Sequence, residues 1–184
     1  MDTTVSKGEA LAAIEAERAA WEDLLGEVGE DRMLEPGPVD GWSFKDLVAH
    51  LVGWDRKSLA RLEAVARDQP PPAPPWPAEL DEDRDTDAVN AWIQEHYRDR
   101  LLGEVLQDSR ETYARLGAVV AMLPEGALDE VGRFPRAETA SLGAALTDGT
   151  FFGHLHEEHE PAIREWLAAR GPREAGGPAS RVEL

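Results

Sequence analysis

The chain has 184 residues, a formal net charge of −18 and no cysteine. Disulfides, thiolate metal sites and cysteine nucleophiles are therefore excluded, and so much negative charge argues against a direct nucleic-acid partner or an anionic membrane surface. Hydrophobic residues at 42% and charged residues at 30% are ordinary for a soluble globular protein. No apolar run approaches the roughly 20 residues that cross a bilayer, and the acidic start lacks the apolar stretch of a signal peptide, so a cytoplasmic protein is expected.

The first helix is expected over about Lys7 to Val28, where Leu11, Ile14, Trp21, Leu24, Leu25 and Val28 recur at spacings of three and four. Gly29 and "EPGP" end it. Ser43 followed by Asp46 is a capping-box pair that starts a second helix running to about Arg67. Six prolines at 70–72, 74, 75 and 77 then exclude helix and central strand. They predict a stiff surface excursion that could rim a pocket with Trp76 folded inward. "TDAVNAWIQEHYRDR" reads as a shorter helix capped by Thr86 or Asp87, and "LLGEVLQDSRETYARLGAVVAMLP" as another long one. A loop is expected from Asp129 to Thr139, and a last helix from about Ser141 to Arg170. No stretch alternates as a strand does. Four long helices and one shorter helix predict an all-α bundle, one domain over residues 1–170 with a disordered Gly- and Pro-rich tail at 171–184.

The stretch "GTFFGHLHEEHEP" holds three of the five histidines. On a regular helix of about 100° per residue, His156 falls in the middle of the apolar stripe, His159 and Glu160 flank it, and His154 faces away. Pro161 can kink the helix and bring His154 or Glu158 inward instead. His50 lies at the edge of the inward stripe of the second helix. Polar groups that replace one turn of a core stripe signal a pocket, because an unsatisfied buried polar group is costly. His50, His156 and His159 are thus the candidate catalytic residues. They are equally the candidate ligands if the pocket holds zinc, nickel or another divalent metal. Without a metal, the same imidazoles suit acid–base work near neutral pH. Trp54, Trp92 and Phe152 are candidates to stack on a substrate, and Asn90 to orient its carbonyl. His96 reads as a surface residue.

The segments "WEDLLGEVGEDRMLEPGPVDGWSFKDLVAHLVGWDR", "DAVNAWIQEHYRDR", "LPEGALDEVGRFP" and "FFGHLHEEHEPAIREWL" resemble the DinB-like four-helix bundle superfamily, and most closely its ClbS/DfsB branch. The most specific parts are Trp42-Ser43-x-x-Asp46-x-x-x-His50 and the late "EEHEPAIREW". The resemblance implies an up-down bundle with a pocket at one end of the helices, to which the extra short helix and the proline-rich excursion read from the residues are added. It also implies a divalent metal held by one histidine of the second helix, here His50, and two ligands of the last helix, of which His159 matches one. The other usually stands four residues earlier, where this chain has Leu155. That departure favours a metal-free pocket, or one in which His156 takes over. The ClbS type implies hydrolysis of a small electrophilic, cyclopropane-bearing genotoxic metabolite, a self-resistance activity. Other relatives, such as the mycothiol-dependent maleylpyruvate isomerases, imply metal- and thiol-dependent transfer with a low-molecular-weight thiol. A bundle that only sequesters its ligand, or that acts as a homodimer through an exposed helix face, is the non-catalytic alternative.

Overall fold

Ser6 starts the first helix. Its hydroxyl accepts from the Glu9 amide while the Glu9 carboxylate accepts from the Ser6 amide, and this capping box opens α1 (Lys7–Val28). The computed structural model describes residues 4–39, 41–124, 126–137 and 139–171. The tail read as disordered thus lies, from residue 172 onward, outside the described residues. Ala10, Ile14, Trp21, Leu24, Leu25 and Val28 bury the inward face of α1. Ser43 and Asp46 cap α2 (Phe44–Ala66) in the same way. α3 (Thr86–Tyr97) is capped by Asp85, one or two residues before the expected Thr86 or Asp87. α4 (Leu102–Met122) follows. Among the described residues every regular element is helical, with two isolated bridges and no strand. None of these helices is long and apolar enough to cross a membrane.

α2 is the central helix. It packs chiefly on α4, with α3 on another side, and α4 in turn packs on α1. That position explains why every residue from Leu47 to Gly53 is buried, including His50. Gly53 lets α3 come close: a Cβ there would lie 2.9 Å from Ile93 Cδ1 and 3.0 Å from its Cγ2. The buried Lys45 ammonium donates to the carbonyls of Arg98 (2.7 Å) and Arg100 (3.0 Å), which satisfies the carboxyl-terminal end of α3. Trp21 Nε1 donates to Ser109 Oγ at 3.0 Å and joins α1 to α4 inside the core.

The proline-rich stretch forms no regular element, as six ring-locked residues dictate. It turns Trp76 inward to 4% exposure, with its ring 5.1 Å from that of Trp54. Lys57 sits over both indoles and pairs with Glu82, which pins this excursion to α2.

The last segment departs from the single helix expected from Ser141 to Arg170. α5 (Leu142–Asp148) ends at Gly149, whose φ of 86° suits a residue without a side chain. One 3-10 turn follows at Thr150–Phe152, then a π-helical turn at His154–His159, then α6 (Glu160–Arg170). Pro161 supplies the physical reason. It has no amide to give to the carbonyl four residues back, and its ring presses against that carbonyl. The turn before it widens, and the Glu160 amide reaches the Leu155 carbonyl, five residues earlier.

Candidate metal centre

The wide turn decides which histidines meet. On a regular helix His154 and His159 would stand about 140° apart. A π turn places residues five apart one above the other, so both rings point at α2. The Nε2 atoms of His50, His154 and His159 form a near-equilateral triangle, with 3.2 Å between each pair. The three rings are steeply inclined to one another, at 59–80°, with centroids 4.9–5.0 Å apart. Trp42 and Trp54 flank His50 at 5.3 and 6.5 Å between ring centroids.

Three imidazole nitrogens aimed at one point make a poor hydrogen-bond set, since neutral rings bring one proton each and it need not lie on Nε2. They make a good ligand set. Two imidazoles on one tetrahedral zinc, with Zn–N of roughly 2.0–2.1 Å, have nitrogens about 3.3–3.4 Å apart. The observed 3.2 Å is close to that spacing, so His50, His154 and His159 could hold a divalent ion as a group. Three protein nitrogens leave a position open for a small molecule.

The electrostatics agree. Burial, at 4% exposure, drives the His50 pKa down to about 3, with His154 and His159 adding to the effect. Burial also takes His159 down to about 4, helped by His154. It lowers His154 as well, against a smaller opposing pull from Glu158. All three rings are neutral at pH 7 and offer lone pairs. His50 Nδ1 is buried with no hydrogen bond of regular geometry. The nearby Asn90 carboxamide favours the protonated ring slightly, while Asn90 Oδ1 itself accepts from Trp54 Nε1 at 2.9 Å.

His156, placed at the centre of the inward stripe by the regular-helix count, stands outside this triangle. The π turn shifts the register by one residue, and His154 takes the inward place. His156 instead faces α1: its Nδ1 lies 2.7 Å from Glu160 Oε2 and its Nε2 2.9 Å from Glu17 Oε1. Burial disfavours its charged form, yet the Glu160 and Glu17 carboxylates outweigh that and raise its pKa. Leu155, where relatives are expected to carry a ligand, is buried.

Of the substrate candidates, Trp54 lies at the triad, 6.5 Å from His154 between centroids. Phe152 stacks on Tyr113 at 6.1 Å. Trp92 stacks on exposed His96 of α3 at 4.8 Å. A cavity of about 20 Å³ adjoins His154 and is walled by Trp21, Asp55, Ser109, Tyr113, Arg136 and Phe152. A second, of about 30 Å³, shares Asp55, Tyr113, Arg136 and Phe152 and continues towards Leu59, Leu116 and Phe151. Each has room for about one water molecule. Asp55 pairs with Arg136 at 2.7 Å, and Arg136 holds φ = 62°, a strained value for a residue with a side chain. Burial and the charge of Asp55 push the Tyr113 phenol well up, so it stays protonated. In the sequence His154 stands only as the alternative to His156 that a break at Pro161 would bring inward, and Asp55, Tyr113 and Arg136 do not stand out at all.

The molecule is a helical bundle that gathers three imidazoles inward, one of them from the second turn of its central helix. The profile of the DinB superfamily matches residues 13–159, and the chain belongs to that superfamily. Two solved structures share the fold. One is an uncharacterised protein from Escherichia coli UTI89, 13% identical, with a TM-score of 0.67 over 95% of this chain and 99% of that one. The other is a protein from Streptococcus pneumoniae, 18% identical, with a TM-score of 0.65 over 91% of this chain and 93% of that one. A search of curated proteins found no match.

Proposed function

We propose that the protein is a divalent-metal-dependent enzyme that joins a low-molecular-weight thiol to a small electrophile, or isomerises the electrophile through such a thiol. The triangle of Nε2 atoms at 3.2 Å carries this reading. His50, His154 and His159 would hold the ion. When bound, it supplies Lewis acidity, which lowers the pKa of a thiol or water brought to it and polarises an electrophile's oxygen. The thiol must come from outside, since the chain has no cysteine.

The surrounding residues support a reaction that excludes bulk water. Trp42 and Trp54 cover His50 and limit access from that side. Asn90 bonds Trp54 and fixes its indole beside the triad. From the wall next to His154, Asp55 can accept a hydrogen bond and Tyr113 can donate one to an oxygen. Phe152 and Leu155 give that wall an apolar side. The water-sized cavity beside His154, where Asp55, Ser109 and Tyr113 offer polar groups, favours a second reading, in which water replaces the thiol and the protein hydrolyses a strained electrophile in the manner of the ClbS/DfsB branch.

One assay separates the two. Protein loaded with zinc, nickel or manganese is given a panel of small epoxides, cyclopropanes and unsaturated acids, with and without glutathione, cysteine or mycothiol. Turnover that needs both metal and thiol, and that His154→Ala abolishes, supports transfer. Metal-dependent turnover without thiol supports hydrolysis. Turnover in the chelated protein or in His154→Ala would refute a metal-dependent reaction.

A further inference from the structure

Widening a helical turn from α to π geometry gives up regular packing, and such bulges persist where other contacts hold them. Here Pro161 removes one obstacle to widening, but a proline alone does not choose which side chains then face inward. The triad needs His154 and His159 to remain stacked. Between them, His156 leaves the same turn in the opposite sense and meets α1, a different helix.

The contacts there are specific. Glu17 of α1 is only 13% exposed, and its Oε1 is buried with no hydrogen bond of regular geometry. The His156 ring, 2.9 Å away, is what offsets its charge. The other ring nitrogen faces Glu160 at 2.7 Å, so both nitrogens of His156 point at carboxylates. Arg164 then bonds Glu160 at 3.2 Å and Glu27 of α1 at 2.8 Å. The turn is thus tied to α1 twice, through His156 and through Arg164.

We infer that Glu17, His156 and Glu160 form a clamp that holds the π turn open and so keeps His154 in register with His159 and His50. His156 is a positioning residue in this scheme. The inference deepens the metal-site reading and rests on it for its functional meaning, but the clamp itself is a property of the metal-free fold.

Two readouts test it on the full chain. The first is cobalt(II) titration, followed by the visible absorption of the bound ion, on the wild type, Glu17→Ala, His156→Ala, the double variant and Glu157→Ala. Glu157 is exposed on the same turn and serves as the control. The second is the proton nuclear Overhauser contact between the His50 and His154 rings in the metal-free protein. Circular dichroism verifies that each variant is folded. The clamp predicts that Glu17→Ala and His156→Ala each weaken cobalt binding by roughly 10–100-fold, the range for residues that orient ligands. The double variant should be no worse than either single one, since both break one device. Both single variants should lose the ring contact, and Glu157→Ala should change neither readout.

Through-space charge alone predicts something different. Removing the Glu17 carboxylate would weaken cation binding, but removing the His156 ring would not weaken it, whatever its protonation state. Affinity lost in Glu17→Ala but not in His156→Ala, or an unchanged affinity with an intact ring contact, would overturn the clamp. If the wild type binds no cobalt, the metal reading fails, and the ring contact alone decides: lost in both variants, the clamp stands; retained, it falls too.

Discussion

Acid resistance of metal binding is a direct consequence of the buried triad. Metal ligands must be deprotonated, so protons compete with the ion for each ring. An imidazole with an ordinary pKa of about 6.5 is some 97% protonated at pH 5, a penalty of about 30-fold. Three such rings would together lose a factor of about 10⁴–10⁵ in affinity between pH 7 and pH 5. Here burial holds His50 at about 3 and His159 at about 4. Both stay essentially neutral at pH 5 and cost nothing. His154 is also lowered, so even an unshifted ring in its place would set a ceiling of about 30-fold. Zinc affinity measured by competition with a chromophoric chelator at pH 7, 6 and 5, corrected for the chelator's own protonation, should therefore fall by no more than about 30-fold. A loss above about 10⁴-fold, with log affinity falling by nearly three per pH unit near pH 5, would mean that the rings titrate as exposed imidazoles do and that burial does not hold them neutral.

The same shifts act on stability when the protein is stripped of metal. The folded pKa values lie below the unfolded value of about 6.5, so the unfolded chain binds more protons below that pH. The stability of the neutral triad is complete above pH 6.5 and drains as pH falls towards about 4 and then 3. Urea midpoints of chelated protein should drop between pH 7 and 4.5, and a flat profile would contradict the burial. Pro161→Ala restores an amide donor and lets the turn close to α geometry, which should cost at least about tenfold in zinc affinity with all three histidines present; unchanged affinity would show that the π turn does not depend on the proline. Gly53→Ala gains about 1 kcal/mol of helix propensity but forces a methyl onto the fully buried Ile93, an overpacking cost of about 1–3 kcal/mol. The substitution should lower stability in the wild type and raise it in an Ile93→Ala background, by chemical denaturation. The same sign in both would exclude the close α2–α3 approach.

Much of the fold was legible because local signals agreed with burial. The Ser43–Asp46 capping box starts α2 as expected, the periodic stripe of α1 is the buried face, and Trp76 folds inward from a proline-rich stretch. Asp85, not Thr86 or Asp87, caps α3, a shift of the size that helix ends commonly show. The last segment was legible only in part. A constant 100° per residue puts His156 inward and His154 outward, and one π turn exchanges them. Pro161 carried the hint of a break, but a proline tells only that a helix is disturbed, not whether it kinks, ends or widens. The wall beside His154 was not legible, because Asp55, Tyr113 and Arg136 come from two helices and a loop and meet only through packing.

The most direct measurement of the central claim is elemental analysis of protein purified without a histidine tag, beside His154→Ala, His159→Ala and His96→Ala. About one divalent ion per chain is expected in the wild type and in His96→Ala, and little or none in His154→Ala and His159→Ala. A wild type that takes up no metal even when zinc, nickel or manganese is supplied, or a metal that persists in His154→Ala, would contradict it.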